Sequence, residues 1–134
     1  MENTILTEIY KELRQRGYDV DLMEILSVIV QQTRYQTSIQ FLSNDDESLK
    51  CAKIASNRIE MDNELTLAQK LLICNHFNKN VDYCSAYLSD DDNELFMVST
   101  YVSINCENFV EICADMFEEV INATEFLVDL IIEY

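Results

Sequence analysis

The sequence predicts a two-layer α+β domain: a five-stranded, mostly antiparallel sheet packed on one face against helices, in the order α-β-β-β-α-β-β-α. Three observations predict it. Segments with apolar residues every three or four positions open the chain, recur near its middle and close it. Between them lie segments in which apolar and polar residues alternate. These alternating segments follow one another across short polar turns, as antiparallel neighbours do. Elements with one apolar face are stable only when those faces are buried against each other, which gives two layers. The 134 residues fit one domain, 1–134, able to bury roughly two-thirds of its unfolded surface without a disulfide or a metal. With 49% apolar residues, the core offsets ordering entropy despite a net charge of −16.

Residues 3 to 16 read as a helix, with Ile5, Leu6, Ile9 and Leu13 as its inward stripe. Asn3 or Thr4 can cap its start, and Gly17 stands where a left-handed residue ends a helix. Leu26, Val28 and Val30 then alternate with polar residues, as do Tyr35, Thr37, Ile39 and Phe41, giving two strands. Asn44-Asp45-Asp46 is a turn, and Leu49, Cys51 and Ile54 suggest a third, less regular strand. Asp62 or Asn63 caps a second helix, 64 to 77, whose stripe is Leu65, Ala68, Leu72 and Phe77 and which runs out at Asn78-Lys79-Asn80, asparagine replacing the usual glycine.

A second hairpin follows. Tyr83, Ser85 and Tyr87 share one strand face and Cys84, Ala86 and Leu88 the other. The turn is 89–93, and Phe96, Val98, Val102 and Ile104 share a face of the returning strand. The closing helix carries Phe109, Cys113, Met116, Phe117, Val120 and Ile121. Residues 126–134 are apolar nearly all round and either continue this helix or add a strand; helix is favoured because no turn residue stronger than Asn122 intervenes.

Composition excludes several function classes. A surface this acidic repels a phosphate backbone and anionic membranes, and no Lys/Arg cluster exists to release counterions. The charge suits a basic protein partner, or simply keeps the chain soluble. One glycine and no proline leave no phosphate-cradling loop, dinucleotide fingerprint or nucleophile elbow. Five cysteines without a CxxC suit free thiols in a reducing cytoplasm, and the acidic N-terminus gives no secretory signal. His76 is the lone histidine, and Cys74, two residues away on a helix, points to the other side, so no local Cys–His dyad forms. Scattered thiols lack zinc spacing, and the acidic runs 44–47 and 90–94 read as turns rather than calcium loops. No catalytic residue, cofactor or metal ligand is expected.

Two features are candidates for a partner or dimer surface. Tyr83, Tyr87 and Tyr101 can line the outer face of the last hairpin as interface anchors, or they cover the sheet or pack under a helix. Phe126, Leu127, Leu130 and Ile131 belong to a run more apolar than one buried face needs; that surplus suggests a dimer seam or docked terminus, while plain core packing is the slightly favoured reading.

The run Leu72-Ile73-Cys74-Asn75-His76-Phe77-Asn78, the strand Tyr83 to Leu88, the acidic turn, the strand Leu95 to Ile104 and the helix with Phe109, Ile112, Phe117 and Phe126 resemble the YbjN family of bacterial sensory transduction regulators. The family motif is an Asn near a helix end, followed by a hairpin and an amphipathic helix. Asn78 matches it best, and Asn75 is the alternative. The hairpin glycine often found in the family is missing here, as is the tryptophan before the Asn. The resemblance implies a fold like that of class I type III secretion chaperones, which are small, acidic, usually dimeric and bind extended client segments, and it brings no active site. The expectation is therefore a non-enzymatic, cytoplasmic, homodimeric chaperone-like or regulatory protein that binds a protein client. The alternative is an immunity protein that neutralises a basic toxin.

Overall fold

The computed structural model describes residues 2–24, 27–30, 36–59, 64–89 and 95–133. It is an α+β fold with three helices and an antiparallel sheet. The elements are α1 (Glu2–Gln15), β1 (Val20–Glu24), β2 (Ser27–Val30), β3 (Gln36–Ser43), β4 (Leu49–Ile59), α2 (Leu67–Asn80), β5 (Ser85–Leu88), β6 (Phe96–Ser103) and α3 (Phe109–Glu133). The sheet order is β1-β2-β3-β4-β6-β5, every neighbour antiparallel. The sheet thus has six strands among the described residues, one more than expected, and four of them precede α2. The additional strand, β1, has only five residues and includes Asp21 and Glu24, so its alternation is too short to stand out in sequence. Pairing with β2 makes it a strand.

α1 ends as expected. Gly17 adopts φ +95°, Tyr18 N–H donates to Leu13 C=O at 3.1 Å, and Gly17 N–H donates to Arg14 C=O at 3.0 Å. These two bonds form a Schellman cap and satisfy carbonyls the helix cannot. Leu6, Ile9 and Leu13 are buried beneath it. Arg16 then fastens α1 to α3, donating to Glu12 at 3.1 Å, Asp115 at 2.8 Å and Glu118 at 3.3 Å. Alongside, Tyr18 meets Phe117 edge-on at 5.9 Å.

The sheet has a covered and an open face. Thr37, Ile39 and Phe41 on β3, Ala52, Ile54 and Ser56 on β4, and Phe96, Val98 and Val102 on β6 are buried and share one alternation. α3 packs against β4 and β6, and α2 against β5. Tyr35 and Leu26 lie outside the described residues. The turn expected at 44–46 closes with Asn44 N–H on Ser48 C=O at 2.8 Å, while Asp46 accepts from both the Ser48 N–H and its hydroxyl. The run's acidity is used there, in a turn, and Glu47 takes the left-handed position at φ 67°.

α2 corrects the reading at both ends and on its face. Thr66 is the N-cap: its hydroxyl accepts from Gln69 N–H while the Gln69 side chain accepts from Thr66 N–H, a capping box. Reciprocal satisfaction of two donors places the start there, and Asp62 and Asn63 lie outside the described residues. The helix continues to Asn80 and stops at Val81, whose extended backbone donates to Phe77 C=O, so no left-handed asparagine is needed. Its buried residues are Ile73, Cys74 and Phe77, whereas Ala68 and Leu72 face solvent.

α3 runs unbroken through Glu133, so residues 126–133 continue the helix. Within it, Thr124 Oγ1 lies 2.7 Å from both Ser56 Oγ and the Val120 carbonyl, and Ser56 Oγ lies 2.9 Å from Thr37 Oγ1; all three side chains are buried. Thr124 has one hydroxyl proton, and the carbonyl can only accept. A consistent chain therefore runs Thr37 to Ser56 to Thr124 to Val120 C=O, satisfying every member and tying β3, β4 and α3 together.

Candidate protein-binding surfaces

In the C-terminal run, Leu127, Leu130 and Ile131 are buried in the chain's own core, in line with the packing reading rather than an exposed partner surface. Phe126 is half-buried, its ring 6.0 Å from Phe77 of α2. The surplus of apolar residues is used because α3 is covered on several sides: α1, α2 and the sheet all pack on it. A helix surrounded in this way is apolar most of the way round.

The tyrosines are placed differently. Tyr101 is 58% exposed on the open face of β6, directly opposite Lys53 of β4, whose ammonium lies 6.0 Å from the ring centre. Tyr87 is half-buried on β5, opposite Met97. Tyr83 precedes β5 and is 65% exposed. The row across this face through Ser38, Ala55, Ser99 and Ser85 is made of small residues, and Ala55 and Ser99 within it are buried.

Sequence reasoning missed a second exposed surface. Leu67, Leu71 and Leu72 of α2 are 51, 53 and 54% exposed; Leu72 lies with exposed Ala68 across the helix from Ile73 and Phe77, whereas Leu67 and Leu71 are nearer the line of Cys74. The signal was present. A helix with leucines at 67, 71 and 72 and apolar residues at 73, 74 and 77 has two apolar sides, and a surface helix in a monomer needs one. α2 is also free of carboxylates, carrying Lys70 and Lys79, in a chain with 25 acidic residues.

Asn78 lies in line with Leu71, two turns further along the helix, and outside the core. Its side-chain amide donates to Ala86 C=O at 3.1 Å and its carbonyl oxygen accepts from Ala86 N–H at 2.8 Å. Asn78 thus pairs with β5 as a neighbouring strand residue would. β5 is the sheet edge, so the amide satisfies backbone groups that would otherwise invite another strand. Asparagine is suited to this because its side chain reproduces the donor and acceptor of a peptide unit. Asn75, the other candidate, is solvent-exposed on α2.

The thiols and the histidine offer little chemistry. All five cysteines are free. Burial pushes the Cys74 and Cys84 thiols up to about 11 and Cys113 to about 12, so they remain protonated and unreactive at neutral pH. His76 is exposed on α2. Among the described residues, no group of three or more His, Cys, Asp or Glu is placed to hold a metal, and no helix is long and apolar enough to cross a membrane. The 90–94 run lies outside the described residues. One groove of about 550 Å³ lies where α1 meets the start of α3, lined by Ile5, Ile104, Phe109 and Val110 with Glu12 and Glu111 at its edge.

Searches of curated proteins and of solved structures returned no match. A family model described as a putative bacterial sensory transduction regulator matches residues 5–126, which run from the first turn of α1 to the Phe126 that packs on Phe77. Nearly the whole fold, including the Asn78 clamp and the hairpin it holds, falls inside that match, and the chain belongs to the YbjN family.

Proposed function

We propose that this chain is a non-enzymatic, cytoplasmic regulator that acts by holding a protein client on the open face of its sheet, in the manner of a chaperone, and that it works as a homodimer. The observation that supports the reading is exposed Tyr101 on β6, beside Lys53 and on the alternation opposite the core residues, with exposed Tyr83 just before β5 and half-buried Tyr87 on β5. Aromatic rings at a water-exposed sheet gain most when a partner covers them. The chain's net charge of −16 supports a basic client, because opposite fields steer encounter. Membership of a family described as a regulator accords with a binding role.

Affinity capture followed by hydrogen exchange on the reconstituted complex tests the proposal. Protection is expected in β4, β5 and β6, and Tyr101→Ala together with Tyr83→Ala should weaken the complex by tenfold or more, about 1.4 kcal/mol. A complex that leaves the sheet face unprotected refutes it. The same charge favours a second reading, an immunity protein that neutralises a basic toxin. That reading predicts an association rate falling steeply with salt, and a salt-independent rate removes it.

A further inference from the structure

We infer that the groove between α1 and the start of α3 is a binding site for a small organic amine, a cation carried on an apolar body. The site shares no residue with the tyrosines proposed above to hold a client. Its wall is apolar and comes from three parts of the fold: Ile5 of α1, Ile104 just after β6, and Phe109 and Val110 of α3. All four are half-buried, so folding leaves part of each uncovered at one place. The volume of about 550 Å³ suits a single small molecule, and an apolar wall with a few polar groups is the usual make-up of such a site.

Charge selects the occupant. Among the described residues no lysine or arginine lines the groove, whereas Glu12 and Glu111 do. Glu12 gives Arg16 only its Oε1, at 3.1 Å, and the same guanidinium is shared with Asp115 and Glu118. Glu111, Asp115 and Glu118 follow one another at helical spacing along α3. With Glu12 they set four carboxylates against one guanidinium along the α1–α3 seam, and the Glu111 carboxylate has no ion partner among the described residues. Asn108, held at φ 56° with its carbonyl accepting from Ile112 N–H at 2.9 Å, adds a neutral amide whose oxygen can accept from an ammonium. An anion is repelled here. A neutral apolar molecule leaves the carboxylates unused, and a bare cation leaves the apolar wall unused. An ammonium on an aliphatic or aromatic body meets both.

Titration of the intact, isotope-labelled protein with phenylbutylamine, followed by amide NMR, tests the site. Phenylbutanol and phenylbutyrate carry the same body with a neutral and a negative head, and propylamine carries the charge with little body. The amine should shift the amides of Ile5, Glu12 and 104–111 and saturate. The alcohol should bind roughly three- to tenfold more weakly and the acid more weakly still, while propylamine should not saturate. Glu111→Lys, at an exposed position, should leave the circular dichroism spectrum unchanged and erase the preference for amine over alcohol. Shifts that spread over the acidic surface without saturating overturn the site, as do saturable shifts confined to the tyrosine-bearing strands. An amine that binds no better than the alcohol overturns it too, as does a folded Glu111→Lys variant that keeps the amine preference.

Discussion

Asn78→Ala removes a side chain that spans the gap between α2 and the edge strand β5 without filling the core. Two hydrogen bonds are lost, at 2.8 and 3.1 Å. At about 0.5–1.5 kcal/mol each, the gross loss is about 1–3 kcal/mol. Asn78 is exposed, so water can reach the freed Ala86 groups, which places the loss in the lower half of that range. Alanine is also the better helix former by about 0.5 kcal/mol. Asn75→Ala carries the same propensity gain at an exposed position of the same helix and serves as the control. The difference between the two variants, measured by urea denaturation at one protein concentration, should be about 1–2 kcal/mol, with the m-value unchanged. In thermal melts it corresponds to about 3–6 °C. Hydrogen exchange should locate the change, with the Ala86 amide accelerated in Asn78→Ala and unaffected in Asn75→Ala. If the two variants are equally stable and Ala86 exchanges at the wild-type rate, the side chain does not clamp the edge. The account of Asn78 given above then falls.

Three further outcomes follow from the geometry. Thr124→Val leaves the buried Ser56 hydroxyl without its acceptor and should cost about 1–3 kcal/mol in urea denaturation, whereas replacing Thr37, Ser56 and Thr124 together by Val, Ala and Val should cost less than the summed single changes. Gly17→Ala places a Cβ where nothing lies within 4 Å, so its whole cost is the left-handed backbone, about 1–2 kcal/mol, read as a lowered denaturation midpoint. Cys74, Cys84 and Cys113 have folded values raised above the ordinary 9.0, to about 11, 11 and 12. Their contribution is complete below pH 9 and lost as the unfolded thiols ionise, so stability should fall between pH 9 and 12 and stay level in this respect from pH 6 to 8. In the native state a thiol reagent at pH 8 should modify Cys106, which is exposed, and more slowly Cys51, with the other three reacting only on unfolding.

What could be read from residues alone was whatever a short window encodes. Helix α1 with its glycine cap, the alternation of β3, the two faces of β5 and the continuation of α3 through 126–133 all rest on spacing between near neighbours. Acidity and the single glycine likewise constrained the function classes without any coordinates. Tertiary structure decided what depends on distant partners. Val20–Glu24 becomes a strand because β2 lies beside it. The buried side of α2 is chosen by β5 and α3, which take Ile73, Cys74 and Phe77 and leave Leu67, Leu71 and Leu72 in water; a helix with two apolar sides does not itself specify which one is covered. The same holds for the C-terminal apolar run, where Leu127, Leu130 and Ile131 look like an interface until α1, α2 and the sheet enclose them. Burial is a property of what surrounds a side chain, and for these residues the surroundings are supplied by elements far away in the chain.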